Sequence, residues 1–362
     1  MRSTVSVRRG PLLAILSAVL FGASTPLAKR LLGAGVDPWL LAGLLYLGSG
    51  IGLAILYGAR RVGSRAKAEA PLRRADLPWL ALVVLAGGVI GPVLLMYGLT
   101  RVPATSAALL LNLEALATLG LAWVVFHEHV DRKLLLGAAA IVAGAVVLSW
   151  HPAALRTGIG AAAIAAACLA WGVDNNLTRK LSSADPVQIA MIKGLVAGSV
   201  NLGLALLIGA RLPSAAAIAA AQLVGLFGYG ASLVLFVFAL RYLGAARTGA
   251  YFSTAPFIGT VLAVLLLAEP VTARLVAAGV LMAIGVYLHL AERHEHEHEH
   301  EALTHEHRHR HDEEHQHEHG PDAPAGEPHS HWHSHVPIVH SHPHYPDLHH
   351  RHGHGHGRGG SQ

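Results

Sequence analysis

Long apolar runs separated by short polar breaks make up the first 292 residues of this chain. A helix needs roughly 17–25 consecutive, mostly apolar residues to cross about 30 Å of hydrocarbon. Ten stretches have about that length. The pattern therefore predicts ten membrane-spanning helices, at 11–32, 38–59, 77–99, 103–126, 134–150, 158–178, 186–208, 214–240, 246–268 and 273–291.

The composition supports a membrane protein with a different kind of segment attached. Hydrophobic residues make up 53% of the chain, charged residues 14%, and the mean hydropathy is +0.45, which is unlike a soluble globule. Residues 1–292 carry 22 Lys and Arg against 10 Asp and Glu, whereas 293–362 carry 5 against 12 and hold 23 of the 27 histidines. The basic overall charge is an average of these two parts, so it is no argument for a nucleic-acid partner.

The distribution of Lys and Arg predicts the orientation, on the assumption that the N-terminus is cytoplasmic. The cytoplasmic loops and termini, counted up to Arg293, then hold 16 of these residues and the opposite loops hold 6, as expected from the positive-inside rule. The first run could pass for a signal peptide, but nine more spans follow it, so we interpret it as an uncleaved span. With an even number of spans, both termini are predicted to lie in the cytoplasm. We expect the protein to lie in the inner membrane.

Three pairs of segments show that the chain contains an internal repeat. "FGASTPLAKRL" (21–31) aligns with "WGVDNNLTRKL" (171–181), "DPWLLAGLL" (37–45) aligns with "DPVQIAMIK" (185–193), and a third pair is anchored on Glu128 and Glu269. Because five is an odd number, two copies of a five-helix unit must insert with opposite orientations. The predicted fold is all-α, with ten transmembrane helices in two inverted five-helix repeats. The predicted domains are 11–150, 158–291 and a C-terminal tail, 293–362.

These features resemble the drug/metabolite transporter superfamily, and specifically its ten-helix EamA-type members. The resemblance is carried by the Phe-Gly and Trp-Gly pairs at residues 21 and 171, and by two runs that end in a glutamate, "ATSAALLLNLEALATLGLAWVVFHE" (104–128) and "AARTGAYFSTAPFIGTVLAVLLLAE" (245–269). It implies a central cavity lined mainly by the first four helices of each half. It also implies that the fifth and tenth helices are peripheral and available for a homodimer contact.

A single glutamate, Glu114, interrupts the apolar run "LLLNLEALATLGLAWVV" (109–125). Family members commonly carry a proline midway along the fourth helix of each repeat. Pro256 retains it in the second half, but Ala115 takes its place in the first, and Glu114 falls opposite Ala255. A carboxylate near the bilayer centre is costly unless it has a partner, water or a function. Three roles are open: a structural hydrogen bond to a neighbouring helix, a carboxylate that carries a coupling proton, or a ligand of a cationic substrate.

Two further ionisable residues, Asp174 and Lys193, lie within predicted spans. On consecutive antiparallel helices they are both on the order of 10 Å inside the same boundary. Equal depth predicts an ion pair, with Asn175 and Asn176 as additional hydrogen-bond partners. Alternatively, Lys193 extends to the interface and Asp174 is a helix-end residue. Three aromatic residues are further candidates for the cavity, although membrane aromatics also act as packing or interfacial anchors: Trp171, Tyr97 and Tyr251.

No catalytic motif appears in the apolar part of the chain. "FHEH" (126–129) suggests a metal site, but His127 and His129 point to different faces of a helix, so a structural role is expected. The only cysteine, Cys168, lies in an apolar run, which argues against a disulfide or a thiolate metal cluster. The chain also lacks a nucleotide-binding loop of the G-x-x-x-x-G-K-[ST] type. We therefore expect no enzyme activity, no required cofactor, and transport driven by an ion gradient.

The tail alternates histidine with other residues and contains few apolar ones. Such a composition cannot bury a core, which predicts a tail that is disordered without a ligand. Many neutral imidazoles close together suit Zn²⁺, Ni²⁺, Co²⁺ or Cu²⁺. An alternative is pH sensing, in which protonated histidines change the tail's attraction to an anionic membrane surface. The candidate metal ligands are His294, His296, His298, His300, His305, His307, His309, His311, His329, His331, His333, His335, His340, His342, His344, His349, His350 and His352.

Together these features predict a secondary transporter that moves a small molecule or an ion across the lipid bilayer by alternating access. The tail suggests that transport, or its regulation, involves a transition metal such as nickel, cobalt or zinc. Two alternatives are a metabolite or drug exporter unrelated to metal and a membrane-anchored metal buffer or sensor.

Overall fold

The computed structural model describes residues 3–63, 72–126, 132–149, 154–178, 181, 185–290, 294–299, 303–309, 329–335 and 339–344. Within these residues, eight helical segments are long and apolar enough to cross a membrane, and two shorter apolar helices follow them. The predicted all-α membrane fold is confirmed. The ten predicted spans correspond to the eight long segments and the two shorter helices.

The described residues of the first half form seven α-helices in five spans. The third span is interrupted by a π-helical turn and the fourth by a short non-helical break. The helices are α1 Ser3–Gly33, α2 Pro38–Gly63, α3 Leu77–Val83, α4 Gly91–Leu99, α5 Ala104–Leu110, α6 Leu113–Phe126 and α7 Arg132–Ser149, with a 3₁₀ turn at Arg74–Asp76 before α3 and the π-helical turn at Val84–Ile90.

The second half follows the same plan, with six α-helices in the part of it that the structure describes. Its helices are α8 Ala154–Thr178, α9 Pro186–Leu207, α10 Ala215–Gly225, α11 Ser232–Phe252, α12 Ala255–Leu267 and α13 Ala273–Leu290, with a π-helical turn at Leu226–Ala231.

Helix α11 covers the predicted loop between the eighth and ninth spans. Its backbone is helical from Ser232 to Phe252, whereas the sequence pattern predicted a break near 241–245. The ring centroids of Phe236 and Phe252 are nevertheless only 4.9 Å apart. A straight helix would separate two residues at this spacing by about 24 Å. The chain therefore reverses direction within α11, and the two ends of this helix belong to different spans.

The repeat predicted from the sequence is visible at the starts of α2 and α9. The carboxylate of Asp37 accepts hydrogen bonds from the backbone N–H groups of Trp39 and Leu40, at 2.9 and 3.0 Å. Asp185, at the aligned position, accepts one from Val187 at 2.9 Å. Each aspartate therefore caps its helix, and a proline follows it at the first helical position, where no N–H is needed.

The irregular parts of the spans also repeat. When Glu128 is aligned with Glu269, the π-helical turn at Val84–Ile90 overlies the turn at Leu226–Ala231 to within one residue. The breaks in the fourth and ninth spans, at 111–112 and 253–254, likewise coincide to within one residue. A π-helical turn shifts the hydrogen-bond ladder and often marks a functional site. These shared interruptions therefore belong to the repeated unit itself.

Glycine allows helices from the two halves to approach closely. A Cβ on Gly194 would lie 2.7 Å from Cα of Gly50, and one on Gly198 would lie 2.5 Å from the backbone nitrogen of Leu47, so α9 packs tightly against α2. The fifth and tenth spans pack in the same way, because a Cβ on Gly285 would lie 2.6 Å from the carbonyl oxygen of Gly137. Spans five and ten therefore contact each other within one chain, and a homodimer contact stays a prediction.

Four segments among the described residues of the tail form strands. Strands β1 His294–Glu299 and β4 Val339–His344 pair antiparallel, and β2 Leu303–His309 pairs antiparallel with β3 His329–His335. The cause lies in the sequence pattern, because alternation with a period of two matches the period of a strand. The tail thus pairs with itself as two nested ribbons.

We expect Gly194→Ala to destabilise the protein by about 1–3 kcal/mol, because the new methyl group has no room against α2. Gly203→Ala on the same helix is the matched control, since a Cβ there meets nothing within 4 Å. Thermal unfolding of the purified full chain in detergent would measure both. Equal unfolding temperatures for the two variants would contradict the close packing of α2 and α9.

Candidate functional site

Glu114 lies in the first turn of α6, directly after the break in the fourth span. The side chain of Asn112 stabilises this break by donating a hydrogen bond to the carbonyl oxygen of Leu109 at 2.8 Å. The amide nitrogen of Asn112 also lies 3.8 Å from the sulfur of Met282 on α13, whereas Glu114 contacts α8. The N-terminus of a half-helix favours negative charge. The break therefore gives Glu114 a favourable position within the membrane.

Two neighbouring asparagines connect α8 to α6. The amide nitrogen of Asn175 donates to Oε1 of Glu114 at 3.0 Å and lies 3.1 Å from the hydroxyl of Thr118. The amide nitrogen of Asn176 donates to the backbone oxygens of Thr118 and Gly172, at 3.0 and 2.8 Å. Glu114 thus has a hydrogen-bond partner on a neighbouring helix, as one of its three candidate roles requires. Its Oε2 has no hydrogen-bond partner among the described residues.

The predicted ion pair between Asp174 and Lys193 is confirmed. The ammonium group of Lys193 contacts Oδ2 of Asp174, with the two side chains 19% and 6% exposed. The other oxygen, Oδ1, accepts a hydrogen bond from Thr178 at 3.2 Å. Asn175 and Asn176 were predicted as further partners of this pair, but their described hydrogen bonds to other helices go to α6. The reason is that successive helical residues face about 100° apart, so the asparagines face a different neighbour from Asp174.

The π-helical turn of the third span lies directly against this pair. The carbonyl oxygen of Gly87 accepts hydrogen bonds from the hydroxyl of Tyr46 at 2.7 Å and from Nε1 of Trp171 at 3.0 Å. The next carbonyl, that of Gly88, accepts one from Asn201 at 3.1 Å. A Cβ on Gly87 would collide with the carboxylate of Asp174. Side chains from the second, sixth and seventh spans therefore hold this turn, and its lack of a side chain leaves room for Asp174.

The ionisable groups of the site break the symmetry of the repeat. By the alignment of the two halves, Asp174 corresponds to Ser24, Lys193 to Leu45, and Glu114 to Ala255. Each counterpart is uncharged. Ser24 matches Asp174 in position but carries no charge. It packs against Gly228 of the second π-helical turn, where an added Cβ would lie 2.7 Å from Cβ of Ser24, as Asp174 packs against Gly87. For each of these three pairs of equivalent positions, only one of the two repeats therefore carries a charged residue.

The three aromatic candidates, Trp171, Tyr97 and Tyr251, lie in different surroundings. Trp171 is buried and donates to the π-helical turn, so it belongs to the site. Tyr97 lies near the end of α4, 40% exposed and with the guanidinium of Arg101 3.4 Å from its ring centroid. Tyr251 is partly buried, and its carbonyl oxygen accepts a hydrogen bond from Thr254 at 2.6 Å. No described contact joins either tyrosine to Glu114, and their role in the cavity stays a prediction.

The sequence reasoning missed an aromatic group that joins the two halves. The ring of Tyr229 lies 5.6 Å from that of Tyr46 and 6.1 Å from that of Phe21, and Phe21 lies 5.3 Å from Phe252 (centroid distances). The only signal in the sequence was Phe21, which aligns with Trp171 in the repeat.

The described residues contain no group of three or more His, Cys, Asp and Glu side chains placed to hold a metal ion. The "FHEH" residues His127, Glu128 and His129 lie outside the described residues. Of the tail candidates, thirteen histidines lie in the four strands, and the other five lie outside the described residues: His300, His311, His349, His350 and His352.

We expect Lys193→Leu to lower the free energy of unfolding by roughly 3 kcal/mol, the low end for a broken buried pair, because Lys193 keeps some exposure. The double variant Asp174→Leu, Lys193→Leu should recover most of that loss, since no charge remains unpaired. Lys133→Leu, at an exposed lysine of α7, is the control. Denaturant unfolding in detergent would measure all three. An unaltered Lys193→Leu protein would show that the ion pair contributes nothing to stability.

Known proteins share the sequence features and the fold of this chain. Residues 8–150 and 158–291 each match the EamA-like transporter family. The chain is 29% identical over 294 residues to an uncharacterized transporter of Methanothermobacter thermautotrophicus, covering 76% of this chain and 84% of that protein. A protein of known crystal structure shares the fold, with a TM-score of 0.57 and 21% identity over 77% of this chain and 95% of that chain. This chain is a multi-pass membrane protein and belongs to the EamA-like transporter family.

Proposed function

We propose that this protein is a gradient-driven secondary transporter of the inner membrane, and that Glu114 binds and releases the coupling proton. The observation that carries the proposal is the position of Glu114. It combines a broken helix, one oxygen without a described partner, and a neighbouring ion pair whose charges already cancel.

The solvent exposure of the Asn175 and Glu114 side chains supports a water-filled cavity beside Glu114. Asn175 is exposed and Glu114 is partly exposed, although both lie within membrane-spanning helices. A carboxylate and an amide at this depth would not be tolerated against lipid. Polar residues inside a membrane protein usually line a substrate or ion pathway. Water or solute is therefore the expected neighbour of Oε2.

Contacts between the halves at the opposite end of the fourth span are consistent with alternating access. Glu269, after the ninth span, accepts hydrogen bonds from the backbone N–H groups of Ala104 and Thr105, at 2.7 and 2.8 Å. The ammonium of Lys29 donates to the carbonyl oxygens of Leu99 and Val102, the latter at 2.8 Å. The Lys29 bonds lie within the first half. The Glu269 bonds join the two halves, on the side that the Lys and Arg count assigns to the exterior. In alternating access, such contacts break when the repeats rock to the other state.

Proton binding at Glu114 would couple to this motion through α6. A neutral Glu114 loses its attraction to the N-terminus of the half-helix and to the amide of Asn175. The bond from Asn175 holds α6 against α8. Protonation would therefore loosen the contact between the fourth and sixth spans, which belong to different repeats.

The tail provides the proposed link to metal. The backbone register of the two ribbons places histidine opposite histidine three times in each, and such opposed residues are about 5 Å apart at Cα. A metal ion shared by opposed imidazoles would hold a ribbon together. Both termini are proposed to be cytoplasmic, so the tail would meet the metal pool of the cell. The opposed pairs are His294 and His344, His296 and His342, His298 and His340, His305 and His333, His307 and His331, and His309 and His329.

We expect acidification from pH 8 to pH 5.5 to change hydrogen exchange at the two span breaks, 111–112 and 253–254, after correction for the intrinsic pH dependence of exchange. Glu114→Gln should abolish this change because a glutamine cannot bind the proton. Ala115→Ser, at the adjacent exposed position, should keep it. The measurement is hydrogen exchange of the full chain in nanodiscs, read by mass spectrometry. A pH response that survives in Glu114→Gln would remove Glu114 from the coupling step.

The metal link is tested by accumulation of radiolabelled nickel, cobalt and zinc in cells that express the full chain, a chain ending at Glu292, or full-length Glu114→Gln. If metal is the cargo, the shortened chain should still change accumulation and Glu114→Gln should not. If only chains with the tail retain metal, whatever residue 114 is, the tail is a metal buffer and the cargo is a different solute.

A further inference from the structure

We infer that Glu269 is the latch of an outer gate, and that this structure is the state that is closed to the exterior and open to the cytoplasm. The inference rests on the alternating access of the proposed function and adds the residues that control it. Glu269 holds the second repeat to the start of the fourth span. Ala268 and Lys29 position the two parts that this carboxylate joins.

The two parts of the fourth span differ in exposure. In α5, on the exterior side of the break, the buried residues are six of seven: Ala104, Thr105, Ala107, Ala108, Leu109 and Leu110. In α6, on the cytoplasmic side, none of the side chains at 113–121 is buried, and the neighbouring Asn175 is exposed. This difference is expected of a cavity that is closed at the exterior and open to the cytoplasm.

The carboxylate of Glu269 binds across the two repeats at the closed side. Its Oε1 accepts a hydrogen bond from the N–H of Ala104 at 2.7 Å, and its Oε2 accepts one from the N–H of Thr105 at 2.8 Å. These N–H groups lie in the first turn of α5, where a helix leaves donors unpaired and favours negative charge. Both residues are buried, at 0% and 3% exposed. Opening therefore requires water to replace Glu269 at both donors, because an unpaired buried donor is costly.

The backbone of Ala268 directs Glu269 towards α5. Helix α12 ends at Leu267, and Ala268 follows it in the left-handed conformation, with φ +52° and ψ +33°. Among the residues that the structure describes, it is the one residue other than glycine with a positive φ. This conformation is unfavourable for a residue with a Cβ. The two hydrogen bonds of Glu269 offset that strain, so release of the carboxylate lets Ala268 relax.

Lys29 fixes the position of the helix start that Glu269 binds. Its ammonium group donates to the carbonyl oxygens of Leu99 and Val102, the latter at 2.8 Å. Leu99 ends α4 and Val102 lies in the turn before α5, where carbonyl groups lack helical partners and favour positive charge. This turn is therefore held against α1 within the first repeat, and Glu269 joins the second repeat to an end that is already fixed.

The first, fourth and ninth spans leave no free space at their contact. A Cβ on Gly259 of α12 would lie 2.8 Å from the carbonyl oxygen of Gly22 and 3.2 Å from Cβ of Ala108. The hydroxyl of Thr260 lies 3.2 Å from the carbonyl oxygen of Thr105. A solute can pass from the exterior only if these spans separate, and the bonds of Glu269 oppose that separation.

Labelling of a reporter cysteine from the exterior tests the latch. Thr105→Cys keeps the backbone N–H that Glu269 binds. Cells that express the full chain are treated with membrane-impermeant methanethiosulfonate ethyltrimethylammonium, and the chain without the reporter, whose Cys168 is buried, gives the baseline. We expect slow labelling of the reporter alone and labelling at least about tenfold faster with Glu269→Gln. Glutamine can accept only one of the two bonds, and losing one bond to a charged group shifts an equilibrium by about that factor.

Asp37→Asn is the matched control for Glu269→Gln. Asp37 also accepts two hydrogen bonds at a helix start on the exterior side, but both come from α2 of its own repeat. Its labelling rate should equal that of the reporter alone. Ala268→Val should label faster although Glu269 is retained, because a β-branched residue disfavours the left-handed conformation. Ala268→Gly should not, since glycine adopts it freely. Equal rates for these two variants would overturn the role of Ala268.

A second reporter on the cytoplasmic side separates gating from unfolding. Ala115→Cys lies at an exposed position in the first turn of α6, and inverted membrane vesicles present this side to the same reagent. We expect fast labelling of this reporter alone and slower labelling with Glu269→Gln, because opening one side closes the other. Faster labelling at both reporters, as in an unfolded variant, would overturn the latch. Fast labelling of Thr105→Cys alone, or no change with Glu269→Gln, would do the same.

The labelling assay needs neither cargo nor a proton gradient, so its failure is distinct from that of proton coupling at Glu114. Opposite changes at the two reporters, with a pH response of hydrogen exchange that survives in Glu114→Gln, would support the latch and contradict proton coupling. Unchanged labelling in Glu269→Gln, with a pH response that Glu114→Gln abolishes, would contradict the latch alone.

Discussion

A backbone carbonyl that is freed inside a membrane must find a hydrogen-bond donor, and the carbonyl of Gly87 has two, from Tyr46 and Trp171. Lipid supplies no donor, so an unpaired peptide group at this depth costs several kcal/mol. The third span can contain a π-helical turn only because the second, sixth and seventh spans send polar side chains to it. The same turn receives Asp174 at the position where Gly87 has no side chain. Helix geometry, the contact between the halves and the polar site thus depend on one another.

The two halves share a scaffold and differ in chemistry. Aspartate caps, π-helical turns and span breaks occur at matching positions in both repeats. The charged residues do not, because Ser24, Leu45 and Ala255 occupy the places of Asp174, Lys193 and Glu114. A duplicated unit gives the two states of an alternating-access transporter similar packing. Substitution in one copy is then enough to build a polar site near the centre.

Sequence reasoning was most reliable where one physical rule dominates. Span positions follow from the length of apolar runs, and the Asp174–Lys193 pair followed from equal depth on antiparallel helices. It failed where the direction of a side chain mattered. Asn175 and Asn176 face α6 and not the ion pair. Depth along a helix can be counted from the sequence, but the neighbour that each face meets depends on the packing of helices far apart in the chain.

The sequence by itself determined the membrane fold, the inverted repeat and the isolated carboxylate at Glu114, because hydrophobic length and internal similarity are local properties of the chain. The tertiary structure alone placed a break beside Glu114 and brought aromatic rings from both repeats into one group. Apolar runs look continuous whether the helix within them is regular or interrupted. An interruption is stable only when side chains from distant spans satisfy the freed backbone groups, and those partners meet only after the helices have packed.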